Sequence, residues 1–333
     1  MTQWFDNESP GLEQAWHAVA ASSEVTDAPF GVTLLGRKWA LVRLGPDIAA
    51  FADRCPHRLA PLRIGTVCGE LLQCKYHGWK FEASGRCVDV PALGPDATIP
   101  PRSSVATPAR VVERYGLIWM AVEEPVTPFP EFEEWGLDGY DCVMNAPRRS
   151  TSGAGQLVDN FMDATHLPTV HTGTFGVADS TFLPPYEVET DTDRAWCWTR
   201  IEYRNLDDPL VATGEHPEIQ PQDLLKRSEG PTTAYVRLEF PVTGATIAFL
   251  FACCPETSST TRLFKLMARN DFAGDATPLA EALDFEDRVL DEDLAVLEAY
   301  DDNRLALDLK VEVHTRADRL SVAYRRLVAT LLS

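Results

Sequence analysis

Arg54-Cys55-Pro56-His57-Arg58 and Gln73-Cys74-Lys75-Tyr76-His77-Gly78-Trp79 are the stretches on which the reading of this chain turns. Each supplies one Cys and one His, with one residue between them in the first, two in the second, and sixteen residues from His57 to Cys74. Each pair follows a short apolar run and is followed by turn chemistry at Pro61 or Gly78, so both pairs belong to loops. Two thiolates and two imidazoles admit three readings: a structural zinc, a metal cluster, or coincidence. Structural zinc generally uses Cys-x2-4-Cys knuckles. One Cys and one His per loop instead suits a [2Fe-2S] centre with both sulfurs on one iron and both imidazoles on the other.

Outside these loops the composition is that of a globular protein, and 333 residues are enough for two domains. Fifty acidic against thirty basic residues give a net charge of −20, which argues against nucleic acid or an anionic membrane as partner. The start, Met1-Thr2-Gln3-Trp4 with Asp6 and Glu8, lacks the pattern of a signal peptide, and no twenty-residue apolar run spans a bilayer, so a cytoplasmic protein is expected. Eight cysteines in a reducing compartment read as thiols or metal ligands, and the six outside the loops are expected to be small buried thiols.

Up to about residue 122, short apolar runs alternate with Gly and Pro, the rhythm of an all-β domain. Strands are expected at 16–20, 33–35, 39–43, 48–51 and 116–122, and His17 among them reads as structural. The proline-stiffened Glu124-Pro125-Val126-Thr127-Pro128-Phe129-Pro130 then marks a join, giving domains 1–124 and 125–333. Residues 53–86 are net positive by about three charges in an acidic chain, through Arg54, Arg58, Arg63, Lys75, Lys80 and Arg86, which suits the docking of an acidic electron carrier.

The two loops, with Ala60-Pro61-Leu62, Gly85-Arg86-Cys87-Val88 and Glu113-Arg114-Tyr115-Gly116-Leu117-Ile118-Trp119, resemble the Rieske motif of aromatic-ring and demethylating oxygenases. Respiratory Rieske proteins carry an additional Cys in each loop; Ala60 and Tyr76 stand in those places here, so the resemblance is to the oxygenase type.

In the second part, 155–167 reads as a helix ended by Pro168, with Asn160, Asp163 and His166 along one side and His171 beyond the break. No glycine-rich dinucleotide fingerprint occurs, so NAD(P)H is expected to be oxidised on another polypeptide. Asp163-Ala164-Thr165-His166-Leu167-Pro168-Thr169-Val170-His171 is similar to the family's Asp-x2-His-x4-His motif, whose two His bind a non-haem ferrous iron. Such iron takes a carboxylate as third ligand. On an acidic helix at 279–300, Val289, Val296, Ala282, Tyr300, Leu279, Leu297, Leu290, Leu283 and Leu294 form one apolar arc, and Asp293 projects from its middle. Glu286 shares the arc and is the rival; Asp291, Asp287, Asp284 and Glu298 gather on the solvated face. The family's late Glu-Asp pair resembles Glu292-Asp293 and favours Asp293, leaving Glu286 as a supporting or salt-bridged group.

Antiparallel strands are expected at 195–204, 234–240, 246–254 and 262–268, the third apolar on both faces and lining the cavity over the iron. Trp196 and Trp198 read as core, the stretch 205–232 as a mobile surface loop, and His216 and His314 as structural. Arg200, Arg204 and Arg237 are candidates for holding a substrate anion.

The fold class implied is α+β, an N-terminal all-β Rieske domain and a C-terminal helix-grip domain with an antiparallel sheet. The resemblance further implies that Cys55, His57, Cys74 and His77 hold a [2Fe-2S] cluster and that His166, His171 and Asp293 hold Fe(II). It gives Asp163 the role of bridging His77 of one chain to His166 of another in a head-to-tail homotrimer, and places Asn160 near the iron. The protein is then the terminal oxygenase of a multicomponent system. It would use O2 and electrons from NAD(P)H, through a reductase with or without a ferredoxin, to hydroxylate a small aromatic or cyclic substrate, with O- or N-demethylation as one outcome. Its length resembles the vanillate and dicamba demethylase type. Alternatives are a ring cis-dihydroxylating dioxygenase, a Rieske electron carrier without catalysis, and a zinc-stabilised binding module.

Overall fold

The punctuated apolar runs of the first part form three small antiparallel sheets in a unit made of Leu12–Val126 and Cys254–Ser258. In this computed structural model the described residues are 4–94, 98–205, 208–272 and 276–332. One sheet orders Arg110–Arg114, Leu117–Ala121 and His17–Ala21; a second, Phe30–Leu34, Arg37–Leu44 and Asp47–Ala52; a third, Thr66–Cys68, Leu71–Gln73, Lys80–Phe81 and Cys87–Asp89. Leu35 and Gly36, both at positive φ, close the Leu34-to-Arg37 hairpin in the sense that matches strand twist. Ala40, Val42, Phe51, Leu62, Leu72 and Phe81 form a core that includes the sulfurs of Cys55 and Cys74. His17 is structural: its buried Nε2 lies 2.7 Å from the Leu12 carbonyl oxygen, and burial pushes its pKa down to about 4 against that hydrogen bond. The expectation of small buried thiols fails at Cys68, which is exposed, and at Cys142, which is half-buried.

The second unit, Met1–Gly11, Thr127–Cys253 and Ser259–Ser333, is built on an eight-stranded sheet. Its order is Asp141–Met144, Thr260–Arg269, Ala245–Thr257, Thr233–Phe240, Ile219–Ser228, Ala195–Arg204 and Val188–Thr190, with Arg148–Ser150 also paired to Thr260–Arg269. Helices Ala154–Met162, Ala276–Leu297 and Arg319–Leu331 accompany it, the first packing on Thr233–Phe240 and Ile219–Ser228. The chain is thus α+β. Among the described residues no helix is long and apolar enough to cross a membrane.

Four expectations are corrected here. The stretch 205–232 is largely not a surface loop: Ile219–Ser228 is an interior strand with Ala195–Arg204 and Thr233–Phe240 on either side, while Leu206 and Asp207 lie outside the described residues. Burial alternates along it, but the buried face carries Gln220, Gln222, Leu224, Lys226 and Ser228, so hydropathy does not alternate with it. Trp198 is exposed rather than core. Arg200, Arg204 and Arg237 are not free to hold a substrate anion, being paired with Asp223, Glu218 and Glu134. On the acidic helix, Val296 and Tyr300 are exposed although they share the apolar arc, Tyr300 because it lies beyond the helix end at Leu297, and Asp287 accepts a hydrogen bond from Asn145 instead of facing solvent alone.

The helix carrying Asn160 is also shorter than expected, ending at Met162, and Pro168 opens a short second helix, Leu167–Val170, instead of closing the first. Asp163 causes the break. Its carboxylate accepts from the backbone N–H groups of Thr165 at 3.0 Å and His166 at 2.9 Å, offering them an alternative to helical bonding. Asn160, Asp163 and His166 therefore do not share one helical face.

Candidate metal centres

The two Cys/His loops repeat one hydrogen-bond pattern. In the first, Leu59 N–H donates to the Cys55 carbonyl at 2.8 Å and Cys55 N–H donates to the Ala60 carbonyl at 2.9 Å. In the second, Gly78 N–H donates to the Cys74 carbonyl at 3.0 Å and Cys74 N–H to the Trp79 carbonyl at 2.8 Å. The residue four after each Cys takes a left-handed conformation, Leu59 at φ 61° and Gly78 at φ 74°. This geometry sinks both sulfurs in the core and leaves both imidazoles exposed, with ring centroids 4.3 Å apart and His57 stacked on Trp79 at 4.7 Å. Burial, eased by the His57 backbone N–H and reinforced by the neighbouring Cys74 sulfur, pushes the Cys55 thiol up to about 11. A thiol so placed becomes a thiolate when a cation takes its proton's place, which fits an iron cluster.

In the second unit, ligand atoms of His166, His171 and Asp293 lie within 4.8 Å of one another. Asp293 Oδ1 stands 3.4 Å from His166 Nε2 and 3.2 Å from His171 Nε2. Each imidazole is fixed from behind: His166 Nδ1 lies 2.8 Å from Asp163 Oδ2, and His171 Nδ1 lies 2.9 Å from Glu292 Oε2. Glu292 also accepts from Thr174 Oγ1 at 2.8 Å, and Phe175 stacks on His171. A carboxylate behind Nδ1 places the proton there and leaves a lone pair on Nε2. Two such lone pairs face the buried Asp293 Oδ1, which has no hydrogen-bond partner among the described residues. Three converging electron pairs repel one another unless a cation lies between them, so the donor set fits a metal ion.

Residues 15–109 match the Rieske [2Fe-2S] domain family, and residues 151–333, more than half of the chain, match the vanillate O-demethylase oxygenase C-terminal domain family. The chain belongs to the Rieske non-haem iron oxygenases. Methylxanthine N3-demethylase NdmB of Pseudomonas putida is 29% identical over 328 residues that cover 95% of this oxygenase and 88% of that protein. The dicamba O-demethylase oxygenase component of Stenotrophomonas maltophilia is 36% identical over 169 residues, 48% of each chain. The solved structure of Pseudomonas putida CBB5 NdmA with caffeine matches with a TM-score of 0.83 at 28% identity, covering 97% of this chain and 92% of that one. By class the protein is a Rieske-type monooxygenase.

His166, His171 and Asp293 border a half-open cavity of about 100 Å³. Ile247, Phe249 and Phe251 from the apolar strand line it, with Leu224, Val236 and Phe285. Asn160 reaches it, and its Nδ2 has no hydrogen-bond partner among the described residues. Glu286 also borders the cavity but is engaged by the buried ammonium of Lys265. Several lining groups carry no sequence signal. Gln222 and Lys226 come from the strand whose buried face is polar, and Lys226 donates to the Asp163 carbonyl oxygen from a fully enclosed position. Glu292 sits beside Asp293 on the helix, off the centre of the apolar arc, and only the packed structure sets it behind His171. Of the two other histidines assigned to structure, His216 is bound to Asp208 at 2.7 Å, and His314 is half-buried with its Nε2 lacking a hydrogen-bond partner among the described residues.

Proposed function

We propose that this protein is the terminal oxygenase of a multicomponent system that hydroxylates the methyl or other alkyl C–H of a small ring compound, with O- or N-demethylation as the outcome when that carbon is borne by oxygen or nitrogen. The observation carrying this reading is the set of converging electron pairs of His166, His171 and Asp293 at one wall of an apolar cavity. When bound there, ferrous iron supplies the activation of O2; the chain's own residues supply position and exclusion of water. His166 and His171 present Nε2 because Asp163 and Glu292 hold Nδ1, and the aromatic and aliphatic walls keep the reacting carbon dry.

On this reading residues 1–124 carry the cluster on Cys55, His57, Cys74 and His77, and residues 125–333 carry the catalytic iron. Electrons from NAD(P)H arrive through a separate reductase, directly or by a ferredoxin, in the cytoplasm. Of the six basic residues at 53–86, Arg63, Lys80 and Arg86 are spent on Asp53, Asp89 and Glu82. Arg54, Arg58 and Lys75 remain exposed beside the cluster loops for an acidic carrier. We place His77 of one subunit against Asp163 of its neighbour in a homotrimer. The exposure of His57, Tyr76 and His77, together with a groove lined by Asp163, Thr165 and His166, supports that pairing. The methylxanthine demethylases among the relatives support N-demethylation.

The test is substrate-dependent oxygen uptake with a generic reductase and ferredoxin across methoxylated and N-methylated ring compounds. Formaldehyde released with one oxygen atom incorporated is the expected result; a cis-diol product would overturn the monooxygenase reading, and no oxygen uptake with any compound would overturn the oxygenase assignment.

A further inference from the structure

The polar groups bordering the cavity are not equivalent. Lys265 is paired with Glu286, Arg269 makes a two-point contact with Asp271, and Lys226 donates to the Asp163 carbonyl oxygen. Each cation is thus already engaged. Gln222 is 1% exposed, lines the cavity, and its Nε2 has no hydrogen-bond partner among the described residues. Leu224 follows it on the same strand face, and Val236, Phe249 and Phe251 make the surroundings apolar. A buried amide donor in such surroundings is unfavourable by itself and favourable against an acceptor that enters with a ligand. A carboxylate gains less there: it would shed its water where Lys265 and Arg269 are already neutralised by Glu286 and Asp271 and Lys226 is turned to a backbone carbonyl.

We propose that the substrate is an uncharged ring compound bearing a carbonyl-type acceptor, that Gln222 Nε2 donates to this acceptor, and that the site selects such compounds over ring carboxylates. The proposal rests on the reading of this cavity as the substrate site and names the class of molecule it takes. Gln222 acts here as a specificity residue. Of the inward residues of this interior strand, Gln222, Leu224 and Lys226 line the cavity, which sets a few polar groups among apolar walls as ligand sites do.

Three ring compounds of similar size separate the possibilities: 4-methoxybenzamide, 4-methoxybenzoate and 4-methylanisole, titrated calorimetrically into the iron-loaded enzyme without reductant. The benzamide is expected to bind at least about tenfold more tightly than either other compound. In Gln222→Leu the affinity ratio of benzamide to 4-methylanisole should fall by about tenfold, with Gln222→Met giving the same loss if the first variant folds poorly. Equal or tighter binding of the benzoate, equal binding of 4-methylanisole, an unchanged ratio in both variants, or no binding of any of the three would overturn the proposal. Formaldehyde release on adding electrons is scored separately. A protein that prefers the benzamide but never releases formaldehyde would remove the demethylase reading and leave this inference standing. One that demethylates all three without preference would do the reverse.

Discussion

Two pairs of histidines in this chain are held in opposite ways. His57 and His77 stand in solvent at the tips of their loops, with no carboxylate against either among the described residues, while their companion cysteines are core. His166 and His171 are enclosed, each braced on Nδ1 by a carboxylate of the same unit, Asp163 or Glu292. The first arrangement keeps the imidazole edges open to whatever docks on them. The second fixes both rings before any ligand arrives. A centre that must pass electrons outward needs an accessible edge, whereas one that must aim an oxidant at a single carbon needs preset angles.

The largest effects should come from removing one set while sparing the other. Asp293→Ala is expected to lose the non-cluster iron and all turnover while the visible spectrum of the cluster stays intact; Cys55→Ser should bleach that spectrum and leave the His/Asp site able to take up ferrous iron. Iron analysis alongside absorption spectra decides both, and normal product formation by Asp293→Ala would sink its assignment.

Next in size is acid sensitivity of the cluster-bearing unit. His17, packed on the Leu12 carbonyl, has its folded pKa depressed from the ordinary 6.5 to about 4 by burial, so the unfolded chain binds more protons between those values. Stability is full above pH 6.5, declines as pH falls, and levels off below about 4, a total of about 3 kcal/mol. Urea midpoints should follow that course for the wild type and flatten in His17→Gln; parallel curves for the two proteins would remove His17 as the cause.

The braces come third. Glu292→Gln should weaken iron binding at the His/Asp set by about 10- to 100-fold, with activity regained in excess ferrous iron. Asp163→Asn should retain both metals and lose turnover by about 10- to 100-fold or more, because His166 keeps a hydrogen-bonding partner while the proposed contact to His77 of a neighbour is changed. If Glu292→Gln binds iron as tightly as wild type, the contrast between braced and unbraced histidines loses its meaning.

The smallest effects lie in the loop turns. Gly78→Ala forces an L-residue to φ 74° with Pro91 only 3.2 Å from the new Cβ and should cost about 1–2 kcal/mol. Leu59→Gly at φ 61° should be neutral or stabilising by a few tenths of a kcal/mol. Thermal midpoints that move in the same direction for both would contradict the shared loop geometry.

How much of this was legible in the sequence depends on whether the signal is local. The cluster loops were, because ligand type, spacing and turn residues all lie within a few positions of one another. The Ala195–Arg204 strand and the apolar strand over the cavity were legible from their hydropathy. Ile219–Ser228 was hidden because its buried face is Gln-x-Gln-x-Leu-x-Lys-x-Ser, a pattern whose alternation is of burial and not of polarity. The end of the helix at Met162 was hidden for a different reason. Asp163 stops it through its own side chain, whereas Pro168, the visible helix breaker, sits where a helix begins. Glu292 stood out only as the neighbour of Asp293 in the Glu-Asp pair; its place behind His171 needed three dimensions.

The Ile219–Ser228 strand raises a question of threading. An interior strand normally finds its register because a slip by one residue would turn apolar groups outward, and this strand has few to turn. Its other face carries Asp223, held by Arg200 directly across the ladder at 2.5 Å, and Arg227, held by Glu133 at 2.8 Å. A one-residue slip would break both contacts and drive those charges inward. The ion pairs on the outer face therefore serve as alignment keys, fixing the register of a strand whose inward positions are given over largely to polar groups.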